Sequence, residues 1–341
     1  MSMKSLHLLP LDQQVVVITG ASSGIGLVTA RMAAAGGARV VAVARNGAAL
    51  EDLVAEIRAS GGQATHVVAD VGVESEVDRV AEHAIATYGR FDSWVNNAGV
   101  SIFGTIDEVS TEDMRRVFDT VFWSVAYGSR GAVAHYKKRG TGTIVNIGSV
   151  FGDRNTPLQS TYASAKHAVH GFTDALRMEM EHAGVPVSVT LVHPGRIDTP
   201  YNEHAQSYLE HKPAHIGMIY PPEAVAEAVL RAVQAPIRDV FVGFQAKAVA
   251  VAGAIAPRAM DLAMERVMYW SQQRGDQPSP PRENSALHHA GYGGHERGTH
   301  RGWHRRGSIY ARLSTAWAVR GVSGASGRSL DRLRAEAVHG E

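Results

Sequence analysis

From Gln14 to Phe244, short β-branched runs alternate with amphipathic stretches, the sequence form of repeated strand–helix–strand units and a parallel sheet. The pattern predicts strands at Val15 to Thr19, Val40 to Ala44, Thr65 to Ala69, Ser93 to Asn96, Thr143 to Ile147, Val187 to Val192 and Val240 to Val242. Between them, Leu50, Leu53, Val54 and Ile57 share one helical face, and Val77, Val80, Ala84 and Ile85 share another. Gly36-Gly37, Gly61-Gly62 and Gly89 stand where the first three helices are expected to stop. The periodicity fades after Trp270. Residues 271–306 are rich in Pro, Gly, His and Arg and poor in aliphatics, so they bury too little apolar surface to fold alone. The expected division is a leader over 1–11, one α/β domain over 12–270, and a disordered tail over 271–341. The tail's one periodic stretch, Ile309, Leu313 and Trp317, predicts a short helix near 308–320.

Composition narrows the function. Of 341 residues, 45% are hydrophobic, enough for a sizeable core, while Lys+Arg 34 against Asp+Glu 33 leaves no global electrostatic case for nucleic acid or an acidic membrane. Cysteine is absent, which excludes disulfides and thiolate metal sites and fits a reducing compartment. The Leu-His-Leu-Leu run near the start is too short for a secretory signal, so a cytoplasmic location is expected. Ala246 to Pro257 is interrupted by Lys247 and falls short of the ~20 apolar residues a bilayer span needs. It reads as a packed or interfacial helix, with docking of Phe241 to Trp270 on a membrane surface as the alternative. In the tail, His288, His289, His295, His300 and His304 match no metal-site spacing, and no metal is expected.

The chemistry begins where the first strand runs into Thr19-Gly20-Ala21-Ser22-Ser23-Gly24-Ile25-Gly26 and a helical stripe follows. Glycines let backbone N–H groups approach a pyrophosphate, and the helix N-terminus adds partial positive charge. A tight turn without a ligand is the competing reading. The second strand ends in Ala44-Arg45-Asn46, where an acidic residue would bind a ribose 2′-hydroxyl and a guanidinium would instead pair with a 2′-phosphate. Arg45, with Ser22 as a second contact, favours NADP(H) over NAD(H). Asp70 ends the third strand and faces the adenine edge in this reading. Asn96-Asn97-Ala98-Gly99 ends the fourth, where each Asn either lines the crevice or only satisfies loop backbone.

Tyr162 and Lys166 stand four apart, on one helix face, and Ser149 lies 13 positions before the tyrosine. A phenol titrates near ~10, and a cation ~4 Å away interacts by roughly 4 kcal/mol at an effective dielectric of about 20. One pKa unit needs only ~1.4 kcal/mol, so a neighbouring ammonium can draw the phenol towards neutrality.

Together these residues resemble the short-chain dehydrogenase/reductase family: Thr19 to Gly26, Asn96 to Gly99, Ser149, Tyr162-x-x-x-Lys166 and Pro194-Gly195-x-x-x-Thr199 occur in its order and spacing. The resemblance covers roughly Asp12 to Val242 and implies a doubly wound Rossmann-type fold with a seven-stranded parallel sheet. It further implies hydride transfer between a nicotinamide and a carbonyl or secondary alcohol. Tyr162 would be the general acid/base, Lys166 would lower its pKa and hold the nicotinamide ribose, and Ser149 would bind the substrate oxygen. Asn97, Ala98 and Gly99 would support the cofactor floor, and Pro194, Gly195, Ile197 and Thr199 would contact its nicotinamide end. Subunit contacts through about Thr111 to Lys138 and Thr161 to Ala183 would make a homodimer or homotetramer.

One position departs from the family. Its usual Asn, 28 residues before the serine, is Val121 here, and Val cannot hold the water that links the lysine to solvent. Thr120 or Ser124 serving instead is one reading. A regulatory or scaffold protein that binds cofactor and turns over weakly is the alternative function. The stretch Pro200 to Pro222, with Tyr201, His204, Tyr208, Leu209, Ile216, Met218, Ile219 and Tyr220, suggests a lid that joins Ile102, Phe103, Phe151 and Leu158 around an apolar substrate. Half of these side chains packing the lid on its own domain is the competing reading.

Overall fold

The seven β-branched segments form one parallel sheet: β1 (Val15–Thr19), β2 (Arg39–Ala44), β3 (Gln63–Val68), β4 (Ser93–Asn96), β5 (Gly142–Ile147), β6 (Val187–Pro194) and β7 (Asp239–Val242). Their order is β3-β2-β1-β4-β5-β6-β7, and every strand end falls within two residues of its predicted place. The computed structural model describes residues 6, 8–213, 217–273, 278–299 and 303–319.

Parallel strands need crossovers, and helices supply them: α1 (Gly24–Ala35), α2 (Gly47–Ala59), α3 (Glu74–Tyr88), α4 (Thr111–Phe118), α5 (Ser124–Arg139), α6 (Ser160–His182) and α7 (Pro222–Ala232). A π-helical turn, Asp119–Trp123, joins α4 to α5. Strand alternation divides the core. Val16, Ile18, Val40 and Ala42 pack with Leu27, Met32, Leu50 and Val229 on the α1/α2/α7 side. Val15, Val17, Val41 and Val43 pack with Val80, Tyr136, Leu176 and Met180 on the α3/α5/α6 side. Both faces are covered, so the strands read as near-continuous apolar runs. The chain winds outward through β2 and β3, then restarts at β4 on the other side of β1. That reversal opens a crevice at the C-terminal ends of β1 and β4, where ligands of such sheets bind.

Beyond β7, α8 (Phe244–Ile255) and α9 (Pro257–Ala263) follow, and no helix among the described residues is long and apolar enough to cross a membrane. Of the tail expected to be disordered, residues 274–277, 300–302 and 320–341 lie outside the described residues, while the described part is placed on the domain. Residues 278–299 lie against the domain, and α10 (Ile309–Val319) packs on α7 and β7. The attachment is made by backbone groups and ion pairs, with only a few buried apolar side chains such as Leu287, which composition alone does not register.

Candidate active site

The loop after β1 is held from behind by the end of β4. Asn97 and Ala98 donate their backbone N–H groups to the Thr19 hydroxyl at 2.9 and 3.0 Å, and the Asn97 amide donates to the Thr19 carbonyl at 2.8 Å. Two glycines make this closeness possible. Gly20 has a left-handed φ of 69°, and a Cβ on Gly26 would lie 2.2 Å from the Gly20 carbonyl oxygen. Ser23 gives α1 no side-chain cap. Gly20, Ser22, Ser23, Gly24 and Ile25 therefore line a cavity of about 490 Å³, with Gly26 packed behind them. The two asparagines divide their work: Asn97 lines the cavity while bracing the loop, whereas Asn96 is buried and bonded to Trp94, Ser129 and Asn146, tying β4 to α5 and β5.

Arg45 and Asp70 reach the same cavity from the ends of β2 and β3. Arg116, from α4, donates to Asp70 at 2.5 Å. Burial opposes ionisation of Asp70, but the bonds from Arg116 and Gly72 prevail and hold its carboxyl below the usual range. Burial, followed by the nearby Arg116 cation, pulls Arg45 down from the usual guanidinium value. An anion beside Arg45 would offset the burial and the Arg116 repulsion that pull it down.

At the other end of the cavity stand Ser149, Tyr162 and Lys166. Ser149 leaves β5 in extended conformation, accepts the Phe151 N–H at 3.1 Å and donates its own N–H to His170 at 3.3 Å. His170 is backed by Asp153, which also bonds His193 at 2.8 Å. Burial opposes the Asp153 charge, yet the two histidines hold its pKa at about 2. Among the described residues, Asp153, His170 and His193 are the one group close enough to share a cation. Their mutual hydrogen bonds already satisfy them without one.

Lys166, one α6 turn after Tyr162, is 4% exposed and donates to the Ile147 carbonyl at 2.7 Å, with its ammonium 5.8 Å from the centre of the Tyr162 ring. Burial lowers its pKa to about 8. Burial likewise raises the Tyr162 phenol above its ordinary value, while hydrogen bonds from Ser149 and Tyr201 pull it back. The ammonium thus faces a carbonyl more directly than the phenol, and the drop towards neutrality anticipated from the Tyr–Lys spacing is not present in this arrangement.

Tyr201 has a contact that its place on the lid does not announce. Its ring meets Tyr162 edge-on at 5.5 Å, and Gln159 donates to both the Tyr201 hydroxyl (3.0 Å) and Ser101 (2.9 Å). Val121 is fully buried among Val117, Val125 and Tyr162, in the π-helical turn. Of its polar neighbours, Ser124 is spent on the Thr120 carbonyl at 2.6 Å, whereas the Thr120 hydroxyl is buried, without a hydrogen-bond partner, in a residue that lines the cavity.

Pro194, Gly195, Ile197 and Thr199 border the cavity beside α8, as do Phe103, Phe151, Tyr201, His204 and Met218 from the expected substrate wall. Ile102, Leu158, Ile219 and Tyr220 are instead buried in packing, and Tyr208 bonds Asp113 at 2.6 Å. Ile216 falls outside the described residues. Val249, Met264 and Met268, from the stretch once open to a membrane-docking reading, add apolar wall, although Phe244, Ile255 and Val267 remain exposed. Among the described residues, five from the tail, Gln272, Ala286, Ala290, Gly291 and Tyr292, complete the lining and carried no sequence signal.

A family model described as short chain dehydrogenase matches residues 14–209. The uncharacterized oxidoreductase YxnA of Bacillus subtilis (strain 168) is 60% identical over 311 residues, 91% of this chain and 87% of YxnA, a match long enough to include part of the tail. The 3-oxoacyl-[acyl-carrier-protein] reductase of Synechocystis is 36% identical over 64% of this chain and 88% of its own. Among solved structures, an actinorhodin polyketide ketoreductase variant with NADPH superposes with a TM-score of 0.53 at 34% identity, covering 56% of this chain and 73% of that one.

Proposed function

The chain belongs to the short-chain dehydrogenase family, and from that premise we propose that it is an NADP(H)-dependent oxidoreductase interconverting an apolar ketone or aldehyde and its alcohol, with Tyr162 as general acid/base. The observation that carries this reading is the single cavity that joins a glycine-loop cradle to Ser149, Tyr162 and Lys166. The cradle fits a dinucleotide: a Cβ at Gly20 or Gly26 would strike backbone within 2.8 Å, so the loop lies as flat as a pyrophosphate requires. Arg45 supports the 2′-phosphate form, with no carboxylate at the end of β2 to repel it.

When bound, the nicotinamide supplies or accepts the hydride. Ser149 and Tyr162 then direct two hydroxyls at the oxygen on which charge develops, and Tyr162 gives up its proton in reduction or takes one in oxidation. Lys166 would hold the cofactor's ribose, and it keeps a positive charge 5.8 Å from the centre of the phenol ring. Tyr201 donates a hydrogen bond to Tyr162, which eases formation of the phenolate and connects it to Gln159 and Ser101. The similarity to an acyl-carrier-protein reductase and a polyketide ketoreductase, and the Phe103, Phe151, Val249, Met264 and Met268 wall, favour an apolar carbonyl.

The test is NADPH consumption across a mixed panel of ketones and aldehydes, beside Tyr162→Phe. Oxidation abolished by that change supports the proposal. NADPH binding with no turnover on any substrate would favour the scaffold reading that Val121 raises.

A further inference from the structure

The tail segment from Ser285 to Glu296 crosses the mouth of the cavity. At one end it is tied to the lid: Ala286 donates its N–H to the His204 carbonyl at 2.8 Å, and Ser285 bonds Gln206 at 3.1 Å. At the other it is tied to the glycine loop. The Gly24 N–H donates to the His295 carbonyl and the Gly294 N–H to the Ser22 carbonyl, both at 2.9 Å. Between these ends Asn46 donates to Gly291 at 2.9 Å, Arg116 to Leu287 at 3.0 Å, and Arg45 to the carbonyls of Ala286 and Leu287. Leu287 is fully buried in the cluster that holds Val121 and Tyr162, and Arg31 pairs with Glu296 at 2.5 Å.

The segment covers the cavity without filling it, because its own residues are cavity walls facing the same space as Ser22, Arg45 and Asp70. Its glycines permit the approach. A Cβ on Gly293 would lie 2.2 Å from the Ala49 Cβ, on the first turn of α2, so only glycine lets the segment rest there. Arg45 keeps capacity for an anion as well: of its five N–H donors, two point to the segment's carbonyls. We propose that residues 285–296 form a strap that is part of the cofactor site. It holds the Arg45 guanidinium at the end of β2 and must lift for the dinucleotide to enter or leave. The inference rests on the NADP(H) reading given above. Retention follows from the geometry: departure of the adenosine end requires several of these bonds to break together, so release is slow compared with an open cleft.

The experiment is the NADPH dissociation rate of the full chain, read as loss of bound-NADPH fluorescence on mixing with excess NADP⁺, for the unaltered protein and for Gly293→Val. The expected result is release at least ten-fold faster from Gly293→Val; equal rates would overturn the strap. Should Gly293→Val fail to fold, the chain's lack of cysteine provides a second measurement. Ser285→Cys introduces a lone thiol at a site 6% exposed, and it does not line the cavity. Saturating NADP⁺ is expected to slow its modification by a thiol reagent at least ten-fold, and an unchanged rate would overturn the proposal. If the unaltered chain binds neither NADPH nor NADH, the cofactor reading itself fails, an outcome distinct from rapid release.

Discussion

Replacing Lys166 with methionine tests the electrostatics of the site without any substrate. Lys166 is 4% exposed, and its one hydrogen bond runs to the uncharged Ile147 carbonyl. Burial takes its pKa from 10.5 to about 8, a fall of about 2.5 units. At ~1.4 kcal/mol per unit, the folded protein is destabilised by about 3 kcal/mol through holding that charge. Below pH 8 the lysine is protonated in both folded and unfolded states, and the full penalty is present. Between pH 8 and 10.5 the unfolded chain holds the proton that the folded one has lost, so stability rises with pH. Above that window the penalty is gone. Methionine has nearly the same length and no charge, so the stability difference, Met variant minus parent, should shrink by about 3 kcal/mol from pH 7 to pH 10.5. Losing the donor to Ile147 adds an opposing offset of about 1–3 kcal/mol, but it leaves this pH slope in place. Urea unfolding of both proteins at pH 7, 8, 9 and 10 measures the slope, and subtraction removes all other titrations. A difference that stays flat with pH would refute the reasoning. The same variant should lose at least ~10²-fold in turnover, as expected when a proton-transfer group loses its neighbour.

Three further outcomes follow from the geometry. Arg45→Glu should weaken NADPH binding by about 10–100-fold, the loss of a charge-assisted contact, while sparing NADH; equal weakening of both in fluorescence titrations would contradict the 2′-phosphate assignment. Gly26→Ala puts a Cβ 2.2 Å from the Gly20 carbonyl oxygen and 2.6 Å from the Asn97 amide, so a stability loss of about 1–3 kcal/mol and failure to bind nucleotide are expected in calorimetry. Tyr201→Phe removes a hydrogen bond that lowers the Tyr162 pKa, so the pH at which alcohol oxidation reaches half its maximum should move upward; an unmoved profile would show that Tyr201 does not act on the phenol.

The sheet was legible because parallel strands buried on both faces leave uninterrupted β-branched runs, as Val15 to Thr19 and Val40 to Ala44 do. The cavity was legible wherever chemistry depends on a side chain in a fixed place along the chain, as with Ser149, Tyr162 and Arg45. What escaped were contacts with no local pattern. Tyr201 reaches Tyr162 from 39 residues away, and Asn96 and Asn97 are adjacent in sequence but serve the core and the cleft respectively. The strap escaped most completely. Its attachments are largely backbone N–H and carbonyl groups, which every residue carries, and the glycines that allow it to lie flat are the same feature that made it resemble a disordered tail.

The central claim is that Tyr162 moves a proton in a reaction whose reductant binds the glycine-loop cradle. Its most direct measurement is single-turnover oxidation of prebound NADPH by a carbonyl the enzyme accepts, for the parent and Tyr162→Phe, with NADPH affinity determined for both. The account predicts unchanged affinity and a rate at least ~10²-fold lower in the phenylalanine variant. Equal rates at equal affinity would contradict it.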